Sequence, residues 1–90
     1  MSVIKIAIKG ADDVAFTWDG ADVPLNSTGT SWKGTVNAEV NSKHLYVITV
    51  WGTSGQGWTA TVAAPDHTNK HAGHMSPGGF DTSGDTEFEV

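Results

Sequence analysis

Apolar and polar residues alternate one by one in several segments of this 90-residue chain, and this pattern constrains the fold most strongly. In residues 3–9, Ile4, Ile6 and Ile8 share one face, while the residues between them point the other way. A period of two residues is that of a β-strand with one buried face. Similar alternation is found in residues 13–18, 31–40, 58–62 and 86–90. No segment has a convincing helical pattern, so the sequence predicts an all-β domain.

An Asp-Gly pair at 19–20 is a strong hairpin signal, because a type I′ turn needs positive φ at both central residues. Reversing the chain there places Trp18 opposite Ala21 and continues an apolar-to-apolar register. Pro24 cannot donate to a strand ladder. Residues 21–25 are therefore predicted to form an edge strand.

A second reversal at 41–42 folds residues 31–40 back onto residues 43–51. The resulting register places Ala38 opposite Leu45 and again matches apolar with apolar residues. Residues 43–51 are apolar on both faces, which is typical of a strand in the middle of a sheet. We therefore expect the two segments to pair as a hairpin.

These segments amount to about seven short strands in one domain covering residues 1–90. The pattern favours a small antiparallel β-sandwich, immunoglobulin-like or jelly-roll-like, with a small β-barrel as the alternative. Residues 63–84 have no strand pattern and are predicted to form a long irregular loop. A connection of that length is uncommon in a small domain unless it has a function.

The charge balance disfavours several classes of partner. The formal net charge is −5, and the basic residues are five lysines without any arginine. We therefore expect no nucleic-acid partner and no docking on anionic lipid. No apolar run approaches the length of a membrane span, so no membrane insertion is expected. The first residues do not resemble a secretory leader, which fits a cytoplasmic protein or an exported domain lacking its leader.

Four tryptophans are many for a chain of this length, and they suggest a carbohydrate-binding surface. Core packing is the default role of each indole ring. An exposed indole can instead stack on the C–H face of a sugar. Trp58 is the first candidate for exposure because Gly57 precedes it, and Trp51 is the second. The loop between these two tryptophans offers polar partners at Thr53, Ser54 and Gln56. The leading hypothesis is a lectin-like, non-catalytic binding module.

A metal site is the second hypothesis, because three of the four histidines lie in the segment without a strand pattern. His67, His71 and His74 have the i, i+4, i+7 spacing of one helical face. Three imidazoles with Asp66 as a fourth ligand would suit zinc or copper. The alternatives are an ordinary solvated polar loop and adventitious metal capture by histidines.

A calcium site is a further possibility, because carboxylates cluster near turns at 12–13, 19–22 and 81–85. Calcium takes six to eight oxygen ligands, which such turns can supply. The requirements of the turns themselves explain Asp and Gly equally well.

No catalytic motif is present. The chain has no cysteine, no nucleophile elbow and no phosphate-binding glycine loop before a helix. We therefore expect no enzyme activity. The third hypothesis is a structural protein that forms homo-oligomers through edge strands, with residues 86–90 as the first candidate.

Overall fold

Ten β-strands and no helix form the fold in the computed structural model, which describes all residues from 1 to 90. The strands are β1 (Ser2–Lys9), β2 (Asp13–Trp18), β3 (Ala21–Asp22), β4 (Asn26–Thr28), β5 (Ser31–Ala38), β6 (Lys43–Trp51), β7 (Gly57–Ala63), β8 (Thr68–His74), β9 (Phe80–Thr82) and β10 (Thr86–Glu89). Three of these, β4, β8 and β9, lie outside the seven strands predicted from the sequence. The structure has no helix that is long and apolar enough to span a membrane.

The strands form two antiparallel sheets that do not close on themselves. Sheet A has the order β4-β5-β1-β7-β8, and sheet B has the order β10-β6-β2-β3. Strand β9 also pairs with β6, so β9 and β10 lie end to end along the edge of β6 opposite to β2. The prediction of a β-sandwich is confirmed. The alternative of a closed barrel is wrong.

The core fills the space between the sheets and comes from the inward positions of the alternating strands. Each buried aliphatic or aromatic side chain contributes about 1.5–3 kcal/mol relative to an exposed one. Sheet A contributes mainly from β1 and β7, and sheet B from β2, β6 and β10. The largest fully buried side chains are Tyr46, Phe88, Ile4, Ile6, Ile8, Ile48, Val50 and Val62.

The turn at 19–20 has the predicted geometry. Asp19 and Gly20 have φ values of 51° and 83°, and Trp18 lies opposite Ala21 in the ladder. The N–H of Val23 still donates to the carbonyl of Phe16, at 2.9 Å, although the ladder itself is short. Strand β3 is at the edge of sheet B, as predicted.

The predicted hairpin at 41–42 is wrong. Strand β5 lies between β4 and β1 in sheet A, whereas β6 lies in sheet B. The turn carries the chain from one sheet to the other. In a sandwich, apolar residues of the two sheets face each other across the core, so matching apolar residues does not distinguish ladder partners from packing partners. The prediction that β6 is a central strand is confirmed.

The prediction of an irregular loop at 63–84 is also wrong. Strand β8 pairs with β7 over seven residues, from Gly57–His74 to Ala63–Thr68, and β9 pairs with β6. Strand β8 was missed because its inward residues, Asn69, His71 and Gly73, are not apolar. All three lie beside polar groups inside the sandwich.

Candidate functional site

Trp58, the first candidate for an exposed tryptophan, belongs to the core and is only 4% exposed. Its Nε1–H donates to the carboxylate of Asp81 at 2.8 Å, which links sheet A to sheet B. A Cβ at Gly73 would overlap both the Asp81 carboxylate and the Trp58 indole nitrogen. Because Gly73 has no side chain, it leaves the space that the buried Trp58 indole and the Asp81 carboxylate occupy. The expectation that Gly57 would loosen its surroundings is wrong.

Trp51 is on the surface, and the structure pairs it with a residue that sequence reasoning missed. Trp51 is 41% exposed and lies directly opposite Phe80 in the β6–β9 ladder, where Phe80 is 48% exposed. Both side chains point to the outer face of sheet B. We call this pair the aromatic surface. A single aromatic residue after the two glycines at 78–79 was the only signal in the sequence for Phe80.

Polar groups border the aromatic surface on two sides. Asp13 is the ladder partner of Trp51 on the side away from Phe80. The next outward row of the same ladders places Thr49 opposite Thr82. The loop that follows Trp51 exposes the side chains of Thr53 and Ser54 as well. Carboxylate and hydroxyl groups thus lie beside two exposed rings on the outer face of sheet B.

Gln56 has a structural role instead of the predicted binding role. Its Oε1 accepts a hydrogen bond from the Thr53 N–H at 2.9 Å, and its Nε2 donates to the Gly10 carbonyl at 2.6 Å. The Gln56 backbone also bonds to Met75. The amide therefore closes the loop between β6 and β7, and this engagement removes it from the set of free ligand-binding groups.

The three histidines of the proposed metal site do not converge. In a strand, residues of opposite parity point to opposite faces. His71 consequently points into the sandwich, while His74 points outward at the end of β8. His67 lies in the turn before β8, with its Nδ1 2.9 Å from the carboxylate of Asp66. No group of three or more His, Asp or Glu side chains is placed to hold a metal ion, including the acidic turns considered for calcium.

His71 instead takes part in a polar network inside the sandwich. The Tyr46 hydroxyl lies 2.6 Å from Nε2 of His71 and accepts a hydrogen bond from Asn69 at 3.2 Å. Partial burial lowers the pKa of His71, which favours the neutral ring that can accept the Tyr46 proton. Burial likewise raises the pKa of Tyr46, and the hydrogen bond from Asn69 opposes that rise. This network joins β8 to β6.

A hydrogen-bonded series of Ser, His and Asp side chains connects two turns at one end of sheet B. His44 Nε2 is 2.7 Å from Ser42 Oγ, and His44 Nδ1 is 2.6 Å from Asp19 Oδ2. Ser42 Oγ is also 2.6 Å from the carbonyl of Glu39. Because a carbonyl can only accept, the Ser42 hydroxyl donates its proton to Glu39 and does not direct it at His44. The arrangement therefore differs from a serine whose proton is taken by a neighbouring imidazole.

Asp19, at the other end of this hydrogen-bonded series, is stabilised as a carboxylate. The hydrogen bond from His44 is the main cause that lowers the pKa of Asp19, and the Leu45 N–H contributes a further hydrogen bond. The His44 ring stacks on Trp18, with ring centroids 4.9 Å apart. The arrangement anchors the Asp19 turn to the start of β6.

Comparison of the chain with protein-family models, with curated proteins and with solved structures found no match.

Proposed function

We propose that this protein is a non-catalytic carbohydrate-binding module whose ligand lies on the outer face of sheet B, across the aromatic surface. One observation carries the proposal: two large aromatic side chains remain 41% and 48% exposed and lie side by side in the ladder. Neither side chain is needed to complete the core. Exposed aromatic side chains next to one another are typical of a recognition surface.

The chemistry around the rings favours a sugar over a purely apolar ligand. A sugar ring presents a C–H face to an indole and hydroxyl groups at its rim. Thr49, Thr82 and Asp13 lie in the rows beside the rings and supply donors and acceptors for such hydroxyls. The surface is the open outer face of a sheet, which suits an extended glycan chain.

The experiment is binding of cellohexaose, chitohexaose and mannohexaose by isothermal titration calorimetry. Trp51→Ala and Phe80→Ala should each weaken the affinity by about tenfold or more, since aromatic anchors dominate binding energy. Leu45→Ala is the matched control, because Leu45 is an exposed apolar residue on the same strand face, distant from the rings. An affinity equally reduced by Leu45→Ala, or a failure of all three glycans to bind, contradicts the proposal.

Self-association is the second candidate, because the outward side of β6 is apolar beyond the rings. Leu45 is 49% exposed, and Val47 lies between it and Thr49 on the same face. Burying this strip against a second copy would remove apolar surface from water. Light scattering during size-exclusion chromatography tests it: a dimer that Leu45→Glu converts to a monomer supports self-association, and a wild-type monomer at high concentration contradicts it.

A further inference from the structure

Lysines and carboxylates are separated between the two sheets. The five strands of sheet A contain four lysines and no acidic residue. The five strands of sheet B contain one lysine, Lys43, and five acidic residues. The acidic residues that neighbour the sheet A strands in the sequence, such as Asp66, lie in turns beyond the ends of those strands. An acidic protein therefore has one basic face.

All four of these lysines point outward, because the residues that alternate with them face the core. We call this surface the lysine face; it consists of Lys5 and Lys9 in β1, Lys33 in β5 and Lys70 in β8. Each of the four side chains is exposed.

The ladder registers give the spacing of these charges. Lys33 lies beside Ala7, midway between Lys5 and Lys9. With about 3.4 Å per residue along a strand and about 4.8 Å between strands, the Cα of Lys33 is roughly 8 Å from each. That distance is close to the Debye length of about 8 Å at physiological ionic strength, so the potentials of neighbouring ammonium groups add. Lys70 extends the charge two strands further, opposite Thr61.

Two open depressions lie on this face, and basic side chains border both. Lys5 and Lys33 line the first, where the small side chain of Ala7 leaves space between them. Lys9 and His74 line the second, above Gly57. No carboxylate lines either depression. Each depression therefore offers at least one lysine to a polyanion that lies across sheet A: Lys5 and Lys33 in the first, and Lys9 in the second.

The side chains between the lysines indicate which polyanion fits. They are mainly Thr, Ser, Asn and Ala, with hydroxyl groups such as those of Thr35, Thr59 and Thr61 available to sugar hydroxyls. The strands of sheet A have no outward-pointing Trp, Tyr or Phe ring on which a base could stack, and their one outward imidazole is that of His74 at the end of β8. The chain has no arginine for bidentate recognition of bases or phosphates. The face of a sheet without a projecting helix or ribbon also does not enter a duplex groove.

We infer that the lysine face is a binding site for an acidic polysaccharide, recognised through its carboxylate or sulfate groups by Lys5, Lys9, Lys33 and Lys70. This site is on the opposite side of the sandwich from the aromatic surface and does not rest on the function proposed above. It would allow the domain to hold an anionic glycan on one face independently of any ligand on the other.

Binding of a heparin oligosaccharide and an alginate oligosaccharide, measured by calorimetry, tests the inference, with neutral dextran as the uncharged comparison. The two acidic probes should bind and dextran should not. Their affinity should fall by about tenfold or more between about 50 mM and about 200 mM salt, because ion pairs release counterions. The Lys33→Gln/Lys70→Gln double variant should weaken binding by about tenfold at the lower salt concentration.

Two controls separate this site from the rest of the molecule. Lys43→Gln removes the one lysine outside the lysine face and should leave the affinity unchanged, as should Trp51→Ala. The exposed positions of Lys33 and Lys70 predict that the double variant keeps the wild-type urea midpoint. Any of three results overturns the inference. They are no binding of either acidic probe at low salt, a loss of affinity in Lys43→Gln equal to that in the double variant, and binding of a single-stranded DNA oligonucleotide or of phosphatidylserine vesicles that is tighter than binding of both acidic probes.

Discussion

Replacing Gly73 by alanine should destabilise the fold through the contact that buries Trp58. The added Cβ would overlap the Asp81 carboxylate and lie 2.9 Å from the Trp58 indole nitrogen, so the hydrogen bond between them must lengthen or break. A hydrogen bond to a charged group contributes about 1.5–3 kcal/mol, and overpacking a core costs about 1–3 kcal/mol. These costs overlap, so we expect a loss of about 2–4 kcal/mol in the free energy of unfolding.

Urea unfolding followed by tryptophan fluorescence measures this loss, and a melting temperature lower by about 10–20 °C should accompany it. Gly57→Ala is the matched control: the same substitution in the neighbouring strand, where an added Cβ would be 3.7 Å from His74, an ordinary contact. Gly57→Ala should change the free energy by less than about 1 kcal/mol. If the two variants differ by less than about 0.5 kcal/mol, the space at Gly73 is not what buries Trp58.

Three further predictions concern ionisable groups and turns. Because burial lowers the pKa of His71, the unfolded chain takes up a proton as the pH falls below 6.5 before the folded chain does. The free energy of unfolding should therefore fall as the pH falls below 6.5, and His71→Gln should reduce that slope in urea titrations. The pKa of Asp19 is lowered, so its contribution to stability is present above pH 3.8 and is lost as the pH falls below that value. Asp19→Asn should cost about 1 kcal/mol or less at neutral pH, and a larger loss would contradict a weak contribution from this exposed, hydrogen-bonded carboxylate. Asn41 has a φ of 57°, so Asn41→Gly should be tolerated and Asn41→Ala should cost about 1 kcal/mol in the same assay.

The strands with one apolar face were predictable from the sequence. In β1 and β7, inward residues such as Ile6 and Val62 are apolar and their neighbours are not, so the period of two residues indicates both the strand and its buried face. The Asp-Gly turn was predictable for a similar local reason, since few residues accept positive φ.

What the sequence did not reveal depends on contacts between distant segments. The inward residues of β8 contact polar groups that are distant in the sequence: His71 contacts Tyr46, and Gly73 lies beside Asp81. Strand β8 therefore has no apolar pattern of its own. The burial of Trp58 depends on the contact with Asp81 and on the space at Gly73. Phe80 became part of the candidate site only through its pairing with β6.

The basic face was hidden by the net charge. The sum of −5 describes the whole chain, whereas a ligand interacts with one face. The alternation already placed Lys5 and Lys9 on the side away from the isoleucines. That Lys33 and Lys70 join them requires the order of strands in sheet A, which the wrong hairpin at 41–42 concealed.

The central claim is that Trp51, and no other tryptophan, contacts a glycan. The indole N–H signals of the four tryptophans in a proton–nitrogen correlation spectrum test it during titration with cellohexaose, chitohexaose and mannohexaose. The Trp58 and Trp32 indoles donate to Asp81 and to the Ala11 carbonyl inside the protein, which makes them internal references. We predict that only the Trp51 signal shifts as one of these glycans is added. A shift of the Trp58 signal without that of Trp51, or no shift with any of the three, would contradict the claim.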